Sequence, residues 1–135
     1  IWCGKWDYFL KLACIDVGLK RIGLAICLAS NIVTPQSAIL RKNRDQAARD
    51  INTFLKEWEI EKLIVGFPSA NEEMQRRIQH FVSLLNLTIP YEFCEENMSS
   101  IEAEDMIKGE IKYKRDGRVD SLAAKIILER FLAKK

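Results

Sequence analysis

Asp16 ends an apolar run, Leu12 to Ile15, and is followed by Gly18 and the basic pair Lys20 and Arg21. Farther along, Glu95 and Glu96 close another largely apolar segment, and Asp120 stands where a last helix should open. Burying an ionised carboxylate is costly unless it is paired or binds a cation. Acids brought together repel and raise one another's pKa unless a cation joins them. Hard oxygen donors without His or Cys suit Mg²⁺ or Mn²⁺ better than zinc. Two such ions about 4 Å apart can activate a water and stabilise the leaving oxygen of a phosphodiester. The chemistry expected of these acids is therefore metal-assisted hydrolysis. Singly, each acid has a plainer use: Asp16 in a hairpin turn, Asp120 as a helix cap, Glu95 and Glu96 as solvated strand-end residues. Their shared placement at one sheet edge carries the reading.

The elements that must position them follow from periodicity. Two apolar runs, Leu12–Ile15 and Ile22–Leu28, flank a glycine-bearing turn and read as a hairpin. Gly18 there permits a positive φ or lets a ligand come close. A third strand over Gln36–Leu40 would complete an antiparallel meander. The period then changes. Ala47, Ala48, Ile51, Phe54, Leu55 and Trp58 fall on one helical face, with Asn43 available as a cap. Leu63–Phe67 is short and continuously apolar, as a strand covered on both sides should be. A second helix is expected over 71–86, with Met74, Ile78, Phe81, Val82 and Leu85 inward. His80 lies beside that stripe and is assigned no catalytic role.

A further strand is expected over 89–94. Ser99 to Glu102 matches a capping box, which predicts a helix from there to about Gly109. Residues 109–119 read as a basic loop, and a final helix turns Leu122, Ala123, Ile126, Ile127 and Phe131 inward. Strands separated by helices should pair in parallel. The expected fold is α/β: a five-stranded mixed sheet, three strands antiparallel and then two parallel, with helices on both faces. Ligand sites in such sheets lie beyond the carboxyl ends of the strands, which is where the acids fall.

The 135 residues, 48% of them hydrophobic, suit one domain. Residues 1–11 are expected to form an N-terminal arm and residues 12–135 the domain. Net charge is +2, so nucleic-acid contact would have to come from local patches. Lys20, Arg21, Lys112, Lys114, Arg115 and Arg118 are the candidates for phosphate contacts, which position rather than specify. Cysteines at 3, 14, 27 and 94 lack zinc-site or thioredoxin spacing and read as buried free thiols in a reducing cytoplasm. No apolar run approaches the roughly 18 residues of a membrane span, so no membrane association is expected.

Four blocks carry a resemblance to a known family: Asp16-Val-Gly-Leu-Lys-Arg-Ile-Gly23, Ile64-Val-Gly-Phe-Pro68, Glu95-Glu-Asn-Met-Ser-Ser100 and Val119-Asp-Ser-Leu-Ala-Ala124. In this order and at these distances the chain resembles the YqgF/RuvX family from about Leu12 to Leu132. These are Holliday-junction-resolvase-like proteins, also described as nucleases of the 16S ribosomal RNA precursor. The resemblance implies an RNase H-like fold. It implies Asp16, Glu96 and Asp120 as catalytic and metal-binding residues, with Lys20 and Arg21 near the scissile phosphate. It also implies a cytoplasmic bacterial protein that self-associates as a homodimer, with branched DNA or structured RNA as partner. One departure stands out: the family's usual Asp-Glu-Arg is Glu95-Glu96-Asn97 here. The carboxylate at 96 is kept, but the arginine, a bidentate phosphate or carboxylate partner that Asn cannot replace, is lost.

Two other classes compete. A phosphotransfer enzyme of the actin and sugar-kinase type also uses an Asp-x-Gly hairpin. It needs two such domains around a cleft, and this chain has a single such hairpin. A non-catalytic nucleic-acid-binding module acting through partners would keep the fold without the activity, and Asn97 is the residue that favours it.

Overall fold

The computed structural model describes residues 11–18, 20–28, 32–69, 71–95 and 118–133, and for 118–120 the backbone alone. In chain order the described elements are β1 (Leu12–Val17), β2 (Arg21–Cys27), β3 (Val33–Leu40), α1 (Arg44–Glu57), β4 (Lys62–Phe67), α2 (Glu72–Leu85), β5 (Tyr91–Glu95) and α3 (Arg118–Ala133). They form a five-stranded sheet in the order β3-β2-β1-β4-β5. β1 and β2 pair antiparallel, as do β2 and β3, while β1–β4 and β4–β5 are parallel. This is the expected mixed sheet.

Strand alternation divides the core in two. Ala13, Ile15 and Val17 of β1, with Leu63 and Val65 of β4, pack with Ile51 and Leu55 of α1 and with Ile78, Phe81 and Leu85 of α2. Leu12 and Cys14, with Ile64 and Cys94, pack on the opposite face with Ala124, Ile127, Leu128 and Phe131 of α3. Helices thus cover both faces, α1 and α2 on one and α3 on the other. Central strands buried on both sides must be apolar at nearly every position, which is why β1 and β4 read as unbroken apolar runs.

Local chemistry sets the helix ends. Asn43 caps α1: its Oδ1 accepts from Gln46 N at 2.8 Å, and Gln46 Oε1 accepts in return from Asn43 N at 3.4 Å. Asn71 does the same for α2, accepting from Met74 N at 3.1 Å, and Asn86 ends that helix in the left-handed conformation that Asn tolerates. Trp58 departs from expectation. It is the C-cap residue of α1 and 37% exposed, outside the inner stripe. β3 runs through Pro35, as an edge strand can, because a missing N–H there costs no interior ladder bond. Lys62 at the start of β4 bridges Glu92 of β5 at 3.1 Å and lies 5.3 Å from the Phe131 ring, tying the far end of α3 to the sheet.

The helix expected over 99–109 and the arm over 1–10 lie outside the described residues, whereas Lys11 N donates to Glu61 Oε1 at 3.0 Å. Residues 118 and 119, placed in the basic loop by sequence, open α3 instead. Cys14, Cys27 and Cys94 are buried, as expected; Cys3 lies outside the described residues. Among the described residues no helix is long and apolar enough to cross a membrane.

Candidate active site

Because β1, β4 and β5 are parallel, their carboxyl ends share one edge of the sheet. β2 begins there, and β3, antiparallel to β2, ends there. Asp16 sits one residue from the end of β1. Alternation gives it the α3 face, together with Leu12 and Cys14. It is 9% exposed, and among the described residues Asp16 and Ser121 are the buried polar side chains.

What flanks Asp16 is informative. Its partner on β2 is Gly23. On β4, one step beyond the Ile15–Val65 pair, stands Gly66, which itself pairs with Cys94 of β5. Asp16 therefore has a glycine on either side in the sheet, where any larger side chain would project onto the same face. The carboxylate is buried by the fold yet not crowded by its strand neighbours.

The first turn of α3 reaches this row through Ser121. Its Oγ donates to Gln36 O at 2.6 Å and accepts from Leu24 N at 3.4 Å. Leu24 and Gln36 are paired residues at the point where the β2–β3 register slips, between Ile22 and Leu24, next to Gly23. The slip opens the ladder, and the serine hydroxyl fills the opening. Asp120 immediately precedes Ser121, so its backbone is brought to the Gly23–Asp16 row from the α3 side. Ser121 carries no signal in the sequence, where a serine in the first turn of a helix reads as a surface or capping residue.

The turn after Asp16 is built tightly. Gly18 N donates to Arg21 O at 3.0 Å. A Cβ on Gly18 would lie 2.7 Å from Arg21 O, closer than real Cβ atoms come. No described glycine has a positive φ, so Gly18 is required for room and not for a left-handed backbone. Arg41, just past β3, holds the same turn: its Nη1 donates to Gly18 O at 2.6 Å and its backbone N to Lys20 O at 2.8 Å. The guanidinium also lies 5.3 Å from the centre of the Phe81 ring. Burial lowers the Arg41 pKa, and the neighbouring charges of Arg44 and Arg77 lower it further. Arg41 is not among the candidates that the sequence offered.

The other candidates divide. Lys20 is exposed and Arg21 half-buried at this edge. Glu95 ends β5, exposed, and alternation puts it on the face opposite to Cys94 and hence to Asp16. Arg118 and Asp120 stand in the first turn of α3. Glu96, Lys112, Lys114 and Arg115 lie outside the described residues. Among the described residues no three His, Cys, Asp or Glu side chains are grouped so as to hold a metal ion. Asp16 nonetheless has the donor chemistry of a Mg²⁺ or Mn²⁺ ligand, a buried hard-oxygen donor with open neighbouring positions.

Residues 10–134 match the family described as RuvX, Holliday junction resolvase. A relative from Sulfurovum sp. (strain NBC37-1), bearing the name "Putative pre-16S rRNA nuclease", is 64% identical over 127 residues, 92% of this chain and 99% of its own length. A relative of the same name from Sulfurimonas denitrificans is 51% identical over 129 residues, 93% of this chain and 99% of its own. Among solved structures, T. thermophilus RuvC in complex with Holliday junction substrate matches with a TM-score of 0.61 at 14% identity, covering 93% of this chain and 95% of that one. The fowlpox virus resolvase bound to Holliday junction DNA matches with a TM-score of 0.54 at 14% identity, covering 91% and 99%. At such identities the likeness establishes the fold, the RNase H-like fold of these resolvases.

Proposed function

Because this chain belongs to the RuvX family of Holliday junction resolvase-like proteins, we propose that it is a metal-dependent endonuclease that hydrolyses phosphodiesters of structured nucleic acid. The substrate is branched DNA of the Holliday-junction type, the 5′ end of precursor 16S rRNA, or both. The reading places the protein in DNA recombination and repair or in ribosome biogenesis. The observation that carries it is the anchoring of the Asp120 turn, through Ser121, on the sheet row that holds the buried Asp16.

Residues 12–135 act as one nuclease domain in this reading. Asp16, Glu96 and Asp120 hold Mg²⁺ or Mn²⁺. Glu96 is preferred to Glu95 because the resemblance assigns it, whereas alternation puts Glu95 on the face opposite to Cys94 and Asp16. Bound divalent ions would supply a nucleophilic water and neutralise charge at the leaving oxygen. The chain's own residues do the rest. Asp16 supplies a carboxylate at a site excluding most solvent. The glycines at 23 and 66 leave room for a phosphate beside it. Lys20 and Arg21, with Lys112, Lys114, Arg115 and Arg118, contact flanking phosphates and hold the strand in register. The cytoplasmic location and the homodimer expected from the resemblance belong to the same reading.

The test is cleavage of junction DNA, single strands and a precursor-rRNA 5′ fragment in Mg²⁺ or Mn²⁺ by wild type and Asp16→Asn. Metal stabilisation of transition-state charge is worth several kcal/mol, and about 1.4 kcal/mol is tenfold. Asp16→Asn should therefore lose about a hundredfold to a thousandfold in rate while retaining its fold by circular dichroism. Equal cleavage by the folded mutant would remove Asp16 from the mechanism. Binding with no cleavage in any divalent metal would assign the chain instead to the non-catalytic class that Asn97 favours.

A further inference from the structure

The geometry points to a second phosphate-binding surface, formed by Arg41, Lys42, Arg44 and Arg77, that carries nucleic-acid backbone away from the Asp16 site over the α1–α2 side of the same sheet edge. The inference rests on the nuclease reading above. It adds a surface on the opposite face of the sheet from α3.

Arg41 and Lys42 follow the end of β3, and Arg44 opens α1. The antiparallel pairing of β2 with both β1 and β3 places that end at the edge where β1 ends. Arg41 is bonded directly to the turn beyond Asp16, through Gly18 O and Lys20 O. The surface is thus continuous with Lys20 and Arg21. Arg77 lies on α2, close enough for its charge to act on Arg41 together with that of Arg44.

These cations are poorly neutralised by the protein. Among the described residues no carboxylate lies within ion-pair distance of Arg41, Lys42 or Arg44. Arg44 Nη1 instead donates to His80 Nε2 at 3.1 Å. Arg77 pairs with Glu73 at 2.9 Å, both side chains more than half exposed. Such a surface pair is weak and exchangeable for a phosphate. Asp45, Glu72 and Glu73 are the nearby acids in the first turns of the two helices. In a chain of net charge +2, this edge concentrates positive charge. Guanidinium groups match phosphate oxygens in a bidentate fork, and a phosphate bridging two of them would relieve their mutual repulsion. A phosphodiester backbone, spaced along an edge that already hosts the cleavage chemistry, fits better than an acidic peptide.

The experiment is equilibrium binding by the full chain, in EDTA to prevent cleavage, to a labelled four-way DNA junction and to a labelled RNA hairpin, each over a salt series. Each phosphate contact removed lowers the slope of log affinity against log salt by about 1. Arg44→Gln and Arg77→Gln should each lower the slope by about 1 and the double variant by about 2, on whichever probe the protein uses. Lys56→Gln, exposed in the last turn of α1 at the other end of the helix, should leave it unchanged. All these sites are exposed, and matching thermal melts would confirm that the variants fold. If wild type binds and the double variant keeps the wild-type slope on both probes, the surface is overturned while the nuclease reading stands. The same holds if the slope is kept while polyglutamate binding is lost. If wild type binds neither probe, both fall.

Discussion

At Asp16 the arrangement is that of a buried carboxylate given room. Larger side chains at the neighbouring sheet positions would crowd it. Here Gly23 and Gly66 stand beside it in the sheet, and the tight Gly18 turn follows. The turn tolerates no side chain at 18, because a Cβ would meet the Arg21 carbonyl oxygen at 2.7 Å. Gly18→Ala should cost about 1–3 kcal/mol, the range for overpacking, and should also slow cleavage by displacing Asp16 and the Lys20–Arg21 pair together. Urea unfolding checks the first effect, and an unchanged midpoint would show that the turn yields freely. Asp16 and Gly18 were legible as residue types in a pattern, but the reason for Gly18 was not. Its backbone is unremarkable in φ, and the constraint comes from a carbonyl that only the folded hairpin brings close.

At the level of elements, the hairpin, the two amphipathic helices and the covered strand β4 followed from apolar period, because burial on one stripe or on both faces dictates that period. Period alone misled at Trp58, which has the right spacing for the α1 stripe but falls after the last helical turn, at the C-cap. It also placed residues 118 and 119 in a loop because charge dominates there, although α3 begins at 118. Ser121 was invisible for a different reason. Its burial depends on a register slip in the β2–β3 ladder, a feature with no local signature in α3. The slip leaves Leu24 N and Gln36 O for the hydroxyl to satisfy. Ser121→Ala should cost about 1–3 kcal/mol, the penalty for buried polar groups without partners, and should lower kcat by loosening the turn that carries Asp120. Ser121→Thr keeps the hydroxyl and should restore part of both. Wild-type kcat in the alanine variant would separate α3 anchoring from catalysis.

Over the whole molecule, one sheet separates two cores and gathers the ends of β1, β3, β4 and β5 with the starts of β2, α1, α2 and α3 at a single edge. That topology brings the backbone of Asp120, through Ser121, to the row that holds Asp16, and the sharing of one edge was foreseeable from strand order alone. Which face of the edge each acid serves was not, and alternation along the observed strands separates Glu95 from Asp16. We propose that Asp16, Glu96 and Asp120 together hold divalent cations. Mn²⁺ titration followed by electron paramagnetic resonance tests it on wild type, Asp16→Asn, Glu96→Gln and Asp120→Asn. Loss of even outer partners of a ligand weakens metal affinity about 10- to 100-fold, so loss of a ligand should do at least that in each variant. Wild-type Mn²⁺ affinity in all three folded variants would contradict the claim.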